Sequence, residues 1–308
     1  MSTPETVSSA QSAAAAERLT AIGLLSFAVF CFAGLDATAK YLAASLPTEQ
    51  IVWVRFVSHI VYAALLFRIW RSPEVFRSKR WGLQIVRSVL LLMTTVFNFL
   101  AVRHLQLAET VSIMFAAPFV VTALAGPLLN EWAGLRRWLA IIVGFIGVLV
   151  VTRPGLGGFH WAMILSICSM TCYAFYTILT RMLAQTDSPV GMLFLSGVVA
   201  AAAITPFGVA SWTTPDDIWI WLLLLSTGAW GGLGHFALIR AHVLSPAPVL
   251  APFMYTQIIW MTGLGFFVFG DVPGIFTLIG ASIIVGSGLY ILYRERKTGR
   301  AERLARDI

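Results

Sequence analysis

The sequence predicts an all-α polytopic membrane protein: ten transmembrane helices arranged as two inverted five-helix repeats. Three observations carry that prediction. The 308-residue chain is 58% hydrophobic and only 11% charged, where ordinary soluble domains are about 25% charged, and a soluble fold of this length could not hide so much apolar surface. Its apolar residues fall in long continuous runs, whereas a membrane β-barrel would show ten-residue segments of alternating polarity. Lysine and arginine collect in alternate connections, the bias of cytoplasmic loops. That bias also accounts for the net charge of +7 without a nucleic-acid partner.

Taken in order, residues 1–18 are rich in Ser and Ala and read as a flexible, polar cytoplasmic tail. Apolar segments follow at 19–46, 51–69, 81–102, 108–129, 138–152, 160–184, 190–209, 218–239, 247–270 and 274–292. The first is too long for a signal-peptide core and contains Asp36 and Lys40, so it is a span and not a cleaved leader. The second, with its flank to Trp70, is about the length that crosses ~30 Å of hydrocarbon as one helix, yet it holds Arg55 and His59. Pro118 interrupts the fourth, Pro154 closes the fifth, and Pro252 lies in the ninth behind Pro246 and Pro248. Proline cannot continue the hydrogen-bond ladder. A basic tail, 294–308, ends the chain. Short connections leave no room for an inserted soluble domain, so the bundle divides into repeats at 19–153 and 159–293.

Charge fixes the expected orientation. With a cytoplasmic N-terminus, that side holds sixteen Lys and Arg: Arg18, five between Arg68 and Arg80, Arg136, Arg137, Arg181, Arg240 and six in the final tail. The far side holds only Arg103 and Arg153, and Lys40, Arg55 and Arg87 lie inside spans. Both termini are therefore expected in the cytoplasm of a bacterium, with the bundle in its inner membrane. The halves also echo one another: Ala117-Pro118-Phe119 matches Ala251-Pro252-Phe253, and the acids Glu131 and Asp271 follow. Five spans per half is an odd number, so the second copy must be inverted, as in many secondary transporters.

The candidate functional residues are polar groups stranded in hydrocarbon, where a charge costs at least ~2.5–3.5 kcal/mol and so should face the bundle interior or water. Asp36 and Lys40 share one face of the first helix, either as a neutralised pair that locks helices together or as a proton- or substrate-sensing pair; Lys40 alone could also snorkel to the outer interface. Arg55 and His59 repeat the same spacing on the second. Arg55 suits either Asp36 or a carboxylate or phosphate on a ligand, while snorkelling to the interface suffices for Arg87. His59 and His235 could titrate near neutrality. Asn98, Tyr255 and Gln257 could line a pathway or join helices, and Trp230 precedes a glycine-rich stretch that permits close backbone approach. Pro118 and Pro252 are expected helix breaks that expose carbonyls.

No catalytic constellation is visible: there is no nucleotide-binding G-x-x-x-x-G-K-[ST] loop, no H-E-x-x-H and no nucleophile elbow. Cys31, Cys168 and Cys172 lie in apolar runs without companions at metal spacing. The expectation is a non-enzyme without metal or cofactor.

Residues 32–56 (FAGLDATAKYLAASLPTEQIVWVRF), 104–131 (HLQLAETVSIMFAAPFVVTALAGPLLNE) and 240–273 (RAHVLSPAPVLAPFMYTQIIWMTGLGFFVFGDVP) resemble the EamA-type carriers of the drug/metabolite transporter superfamily. The resemblance covers nearly the whole chain after residue 18, with Asp271 where the family usually has Glu. It implies a secondary transporter of a small organic solute working by alternating access. Asp36, Lys40 and Arg55 look most similar to the riboflavin importers and S-adenosylmethionine carriers of this family, so riboflavin uptake is the leading expectation. Its alternatives are S-adenosylmethionine or amino-acid-like metabolites in either direction, or a helical scaffold or sensor that transports nothing. A homodimer is left open.

Overall fold

A computed structural model describes residues 4–71, 76–129, 134–153, 159–183, 186–244 and 253–306. Among the described residues there are helices and no strands. The first half contains α1 (Pro4–Leu42), α2 (Thr48–Phe67), a 3-10 turn (Ile69–Arg71), α3 (Trp81–Val102), α4 (Leu107–Met114), α5 (Ala117–Leu129) and α6 (Leu135–Thr152). The second contains α7 (Ala162–Leu183), α8 (Pro189–Ala210), α9 (Ile218–Leu244), α10 (Gln257–Phe269) and α11 (Ile275–Arg306). Seven segments are long and apolar enough to cross a membrane, and shorter apolar helices at Trp138–Thr152, Gln257–Phe269 and Ile275–Tyr290 lie where the fifth, ninth and tenth spans were expected.

Two differences from the expected elements stand out. Helix α1 begins at Pro4, so residues expected to form a tail are helical, and α11 likewise continues to Arg306. Ala, Glu, Lys, Arg and Leu, all good helix formers, dominate both extensions. The fourth span is two helices. Pro118 has no N–H to offer the preceding turn. The chain turns at Phe115-Ala116, where Ala116 N–H bonds Ile113 O and Phe119 N–H bonds Ala116 O, each at 3.0 Å.

The packing repeats under exchange of the halves. Helix α1 packs on α9 as α7 packs on α3, and α2 packs on α9 as α8 packs on α3. Helix α1 meets α10 as α7 meets α4 and α5, while α2 with α8 and α6 with α11 pair counterpart to counterpart. Two contacts need glycine. A Cβ on Gly228 of α9 would fall 2.1 Å from Ser58 Oγ and 2.6 Å from the His59 backbone nitrogen on α2. Between α6 and α11, a Cβ on Gly280 would fall 2.6 Å from Gly147 O. Small residues let membrane helices approach this closely, and dispersion then holds them. Large apolar side chains such as Leu65, Phe145, Phe207 and Phe267 are left facing outward, as a lipid-exposed surface requires.

Candidate functional site

Following the Lys/Arg bias, the end of the bundle that carries Lys40 is termed outer. There Lys40, two residues before the end of α1, donates to Asp271 Oδ2 at 2.6 Å and to Leu105 O at 2.9 Å. Its ammonium also lies 4.8 Å from the Phe269 ring centroid. One side chain therefore ties the tip of α1 to the exit of α10 and to the α3–α4 connection. Lys40 neither pairs with Asp36 nor merely reaches for the interface. The α-helix places both on one face, but the acceptors Lys40 meets belong to connections between other helices. Nearby, Gln50 and Thr213 bond reciprocally, Gln50 Nε2 to Thr213 O at 2.8 Å and Thr213 N to Gln50 Oε1 at 2.9 Å.

One turn deeper, Asp36 Oδ1 accepts from Asn98 Nδ2 of α3 at 2.9 Å, and both residues are half-buried. Arg55, seven residues into α2 and so about 10 Å along its axis, is 7% exposed. Its guanidinium lies 4.5 Å from the Phe56 ring centroid and 5.9 Å from that of Phe99. It donates no hydrogen bond to any described residue, and the buried Nε has no partner. Asp36 and Arg55 do not come within the 4.0 Å of an ion pair, so the expected direct partnership does not form. Because Phe99 follows Asn98 on α3, the two charges nevertheless flank one turn of that helix.

Helix α9 supplies the fourth wall. A Cβ on Gly231 would lie 3.7 Å from an Arg55 terminal nitrogen, and one on Gly34 of α1 would lie 3.3 Å from the Trp230 ring. Trp230 itself meets Phe30 edge to face at 5.8 Å. His59, 7% exposed, sits beside Gly232, and His235 meets Phe32 edge to face at 5.1 Å. Asp36, Arg55, His59, Asn98, Trp230 and His235 thus gather between α1, α2, α3 and α9. Tyr255 and Gln257 do not join them on the contacts seen. Tyr255 packs edge to face on Phe115 at 5.1 Å and fills the space over Gly288 of α11, while Gln257 opens α10. Pro118 stands at the break described above, and Pro252 lies outside the described residues. Among the described residues no His/Cys/Asp/Glu cluster could hold a metal.

Arg87 departs from the snorkelling role that its place near the start of α3 suggests. It is 3% exposed and points across to the other half instead of snorkelling. Nε donates to Thr180 Oγ1 at 2.6 Å, one terminal nitrogen to Ser196 Oγ at 2.6 Å and Met192 O at 3.1 Å, and the other to the Tyr176 hydroxyl at 2.9 Å. Gln84, one turn earlier, reaches the same Met192 O and Ser196 Oγ at 3.3 Å. The signal for this in the sequence was the polar face Gln84, Arg87, Ser88. Below it, Asp187 in the α7–α8 connection accepts from the Ser78 hydroxyl, from the Lys79 N–H at 3.1 Å and from the Thr186 hydroxyl at 3.0 Å. Partial burial alone would raise the Asp187 carboxyl, but these hydrogen bonds and the Lys79 charge outweigh it and hold its pKa below the ordinary value. A void of 430 Å³ beside the inner half of α2, lined by Tyr62, Leu66, Phe67, Leu193 and Leu233, is almost wholly apolar and only grazes this polar group at His59.

The model of the EamA-like transporter family matches residues 19–153 and 160–293. An S-adenosylmethionine uptake transporter of Rickettsia felis is 29% identical over 282 residues, 91% of this chain and 94% of its own. A riboflavin transporter of Vibrio cholerae is 26% identical over 279 residues, 88% and 92% of the two chains. A pseudopaline exporter of Pseudomonas aeruginosa is 25% identical over 260 residues, 84% and 90%.

Proposed function

The chain belongs to the EamA-like transporter family, and from that premise we propose that it carries a small organic metabolite across a bacterial inner membrane by alternating access. The observation that supports this best is Arg55: a guanidinium deep in the bundle, 7% exposed and without an acceptor among the described residues. The guanidinium lies over the Phe56 and Phe99 rings but donates no hydrogen bond to a described residue; a buried charge without an acceptor is costly, and a ligand can supply the missing one. Asp36, Asn98 and Trp230 complete the polar lining, and His59 and His235 extend it inward. In this reading both termini are cytoplasmic, and the Lys40–Asp271 tie closes the outer end of the path.

The named cargoes of the relatives, S-adenosylmethionine and riboflavin, are the first solutes to try. The test is uptake of each labelled compound into proteoliposomes of the purified protein, beside Arg55→Ala. Saturable flux of at least one compound is expected, with loss in the variant while its thermal unfolding stays cooperative. Absence of flux in either direction would favour a non-transporting scaffold. Normal flux in Arg55→Ala would remove Arg55 from the mechanism.

A further inference from the structure

The apolar void beside the inner half of α2 lies outside the polar group described above. It runs along the face His59, Ala63 and Leu66 of α2 and the face Ala229, Gly232 and Leu233 of α9, so two alanines and a glycine form much of its floor. The two helices run the same way, because Gln50 in the first turn of α2 bonds Thr213 in the connection that opens α9. Leu66 and Leu233, 56% and 43% exposed, stand at its edge, so the groove opens sideways to lipid. At the inner end Phe67, which lines the void, meets Phe236 of α9 with ring centroids 5.4 Å apart. Beyond that pair each helix carries an exposed cation: Arg68, the residue after α2, and Arg240, one turn past Phe236 on the same face of α9. Among the described residues Lys40–Asp271 is the one ion pair, so no carboxylate there neutralises either arginine. Trp70, 62% exposed beside Arg68, suits headgroup depth, where indole rings collect. The Lys/Arg bias accounts for cations at this end of the bundle, but not for a groove that leads to two of them.

The dimensions select the occupant. From His59 to Phe67 the groove is about 12 Å long, most of the ~15 Å of hydrocarbon in one leaflet. A void of 430 Å³ over that length averages about 36 Å² in section, well under the roughly 80 Å² of a helix 10 Å across. That is too narrow for a helix of a second copy, and a polar solute would lose its hydration there without gaining partners. An extended hydrocarbon chain suits both the section and the length.

We propose that the α2–α9 groove binds an anionic phospholipid of the inner leaflet, with one acyl chain in the groove and the phosphate on Arg68 and Arg240. Guanidinium groups match phosphate oxygens through paired N–H···O bonds. The chain itself gains only packing over bulk lipid, so selectivity comes from the headgroup, about fivefold for each cation near the membrane surface. The far end of the chain meets Gly232 and His59, and a seated lipid braces the α2–α9 wall on which Arg55 and Trp230 stand.

The test offers the purified protein, in a neutral detergent, equal amounts of phosphatidylglycerol and phosphatidylcholine with identical chains, and counts retained lipid by native mass spectrometry. Wild-type protein is expected to prefer phosphatidylglycerol about 30-fold, and the double variant Arg68→Asn, Arg240→Gln should retain the two lipids about equally. Asparagine is chosen because Arg68 has φ 46°, a left-handed conformation that asparagine tolerates. The double variant Arg300→Gln, Arg303→Gln changes the net charge as much in the final tail and should keep the preference. In wild-type protein, phosphatidylglycerol with a diazirine at the chain end should label residues 59–67 and 229–233. No wild-type preference, a preference that survives in the Arg68/Arg240 variant, or an equal loss in the Arg300/Arg303 variant overturns the proposal. Photolabel spread evenly over the apolar surface also overturns it, and that measurement needs no variant to fold.

Discussion

Replacing Arg87 by methionine is expected to leave the protein as stable as before or to stabilise it. Arg87 donates four hydrogen bonds to neutral acceptors on α7 and α8, and no carboxylate among the described residues pairs with it. Hydrogen bonds between membrane helices average about 0.6 kcal/mol each in double-mutant cycles, so the four together contribute roughly 2–3 kcal/mol. Against this stands the burial of an un-neutralised ion, which costs several kcal/mol even after relaxation. Methionine fills a similar volume without the ion. The orphaned groups are few, because Ser196 and Thr180 keep their own bonds to Met192 O and Tyr176 O, at 2.7 Å each. The expected net change lies between zero and a gain of about 2 kcal/mol. Arg87→Lys keeps the ion but loses the planar fork, so it should be the less stable variant by about 1–2 kcal/mol. Equilibrium unfolding in mixed detergent micelles, followed by tryptophan fluorescence, measures both. Arg87→Met destabilised by more than about 2 kcal/mol, with Arg87→Lys unchanged, would show that the charge is matched by something other than these hydroxyl and carbonyl groups.

Two further outcomes follow from the ties at either end. Asp271→Asn removes the charge that holds Lys40 to α10, so the outer end should open more often. A cysteine placed at Asn98 should then react faster with a membrane-impermeant thiol reagent than in the parent, after Cys31, Cys168 and Cys172 are replaced; an unchanged rate would show that this tie does not gate the path. Asp187 gives the pH dependence. Its folded pKa lies below the ordinary carboxylate value, so its contribution is fully present above that ordinary value, about 4, and is lost as pH falls through the folded value. Stability should therefore drop below about pH 4 more steeply in the parent than in Asp187→Asn. Parallel curves would mean that the α2–α3 and α7–α8 connections do not depend on this carboxylate.

Much of the architecture was legible because hydrocarbon is an unforgiving solvent. Helix α3 runs over Trp81–Val102, the bounds its apolar run predicts, and the break at Phe115-Ala116 follows from a missing proline donor. Asp36, Arg55, His59 and Asn98 could be placed inward because the alternative was lipid. The partners were another matter. Lys40 and Asp271 are 231 residues apart in the chain, and the i to i+4 spacing pointed instead to Asp36, four residues away. Arg87 invited a snorkelling interpretation because a single helix cannot show that Tyr176, Thr180 and Ser196 wait opposite it. Periodicity describes which face of one helix is polar. What that face touches belongs to the packing of several.

The exchange symmetry of the packing links the site to transport. Because α1 lies on α9 as α7 lies on α3, any arrangement in which α1 leans outward against its partners has an equivalent in which α7 leans inward against its own, with nearly the same contacts. Lys40 stands two residues before the end of α1, and Arg181 stands two residues before the end of α7, at the opposite end of the bundle. The helix pairs of one arrangement are then those of the other with the halves exchanged, while the side chains that fill them differ. Near-degeneracy is what a carrier needs, because a ligand can shift an equilibrium only by its differential affinity for the two states. In the proposed carrier, cargo on the Arg55 guanidinium shifts the balance only as far as it binds one arrangement better than the other.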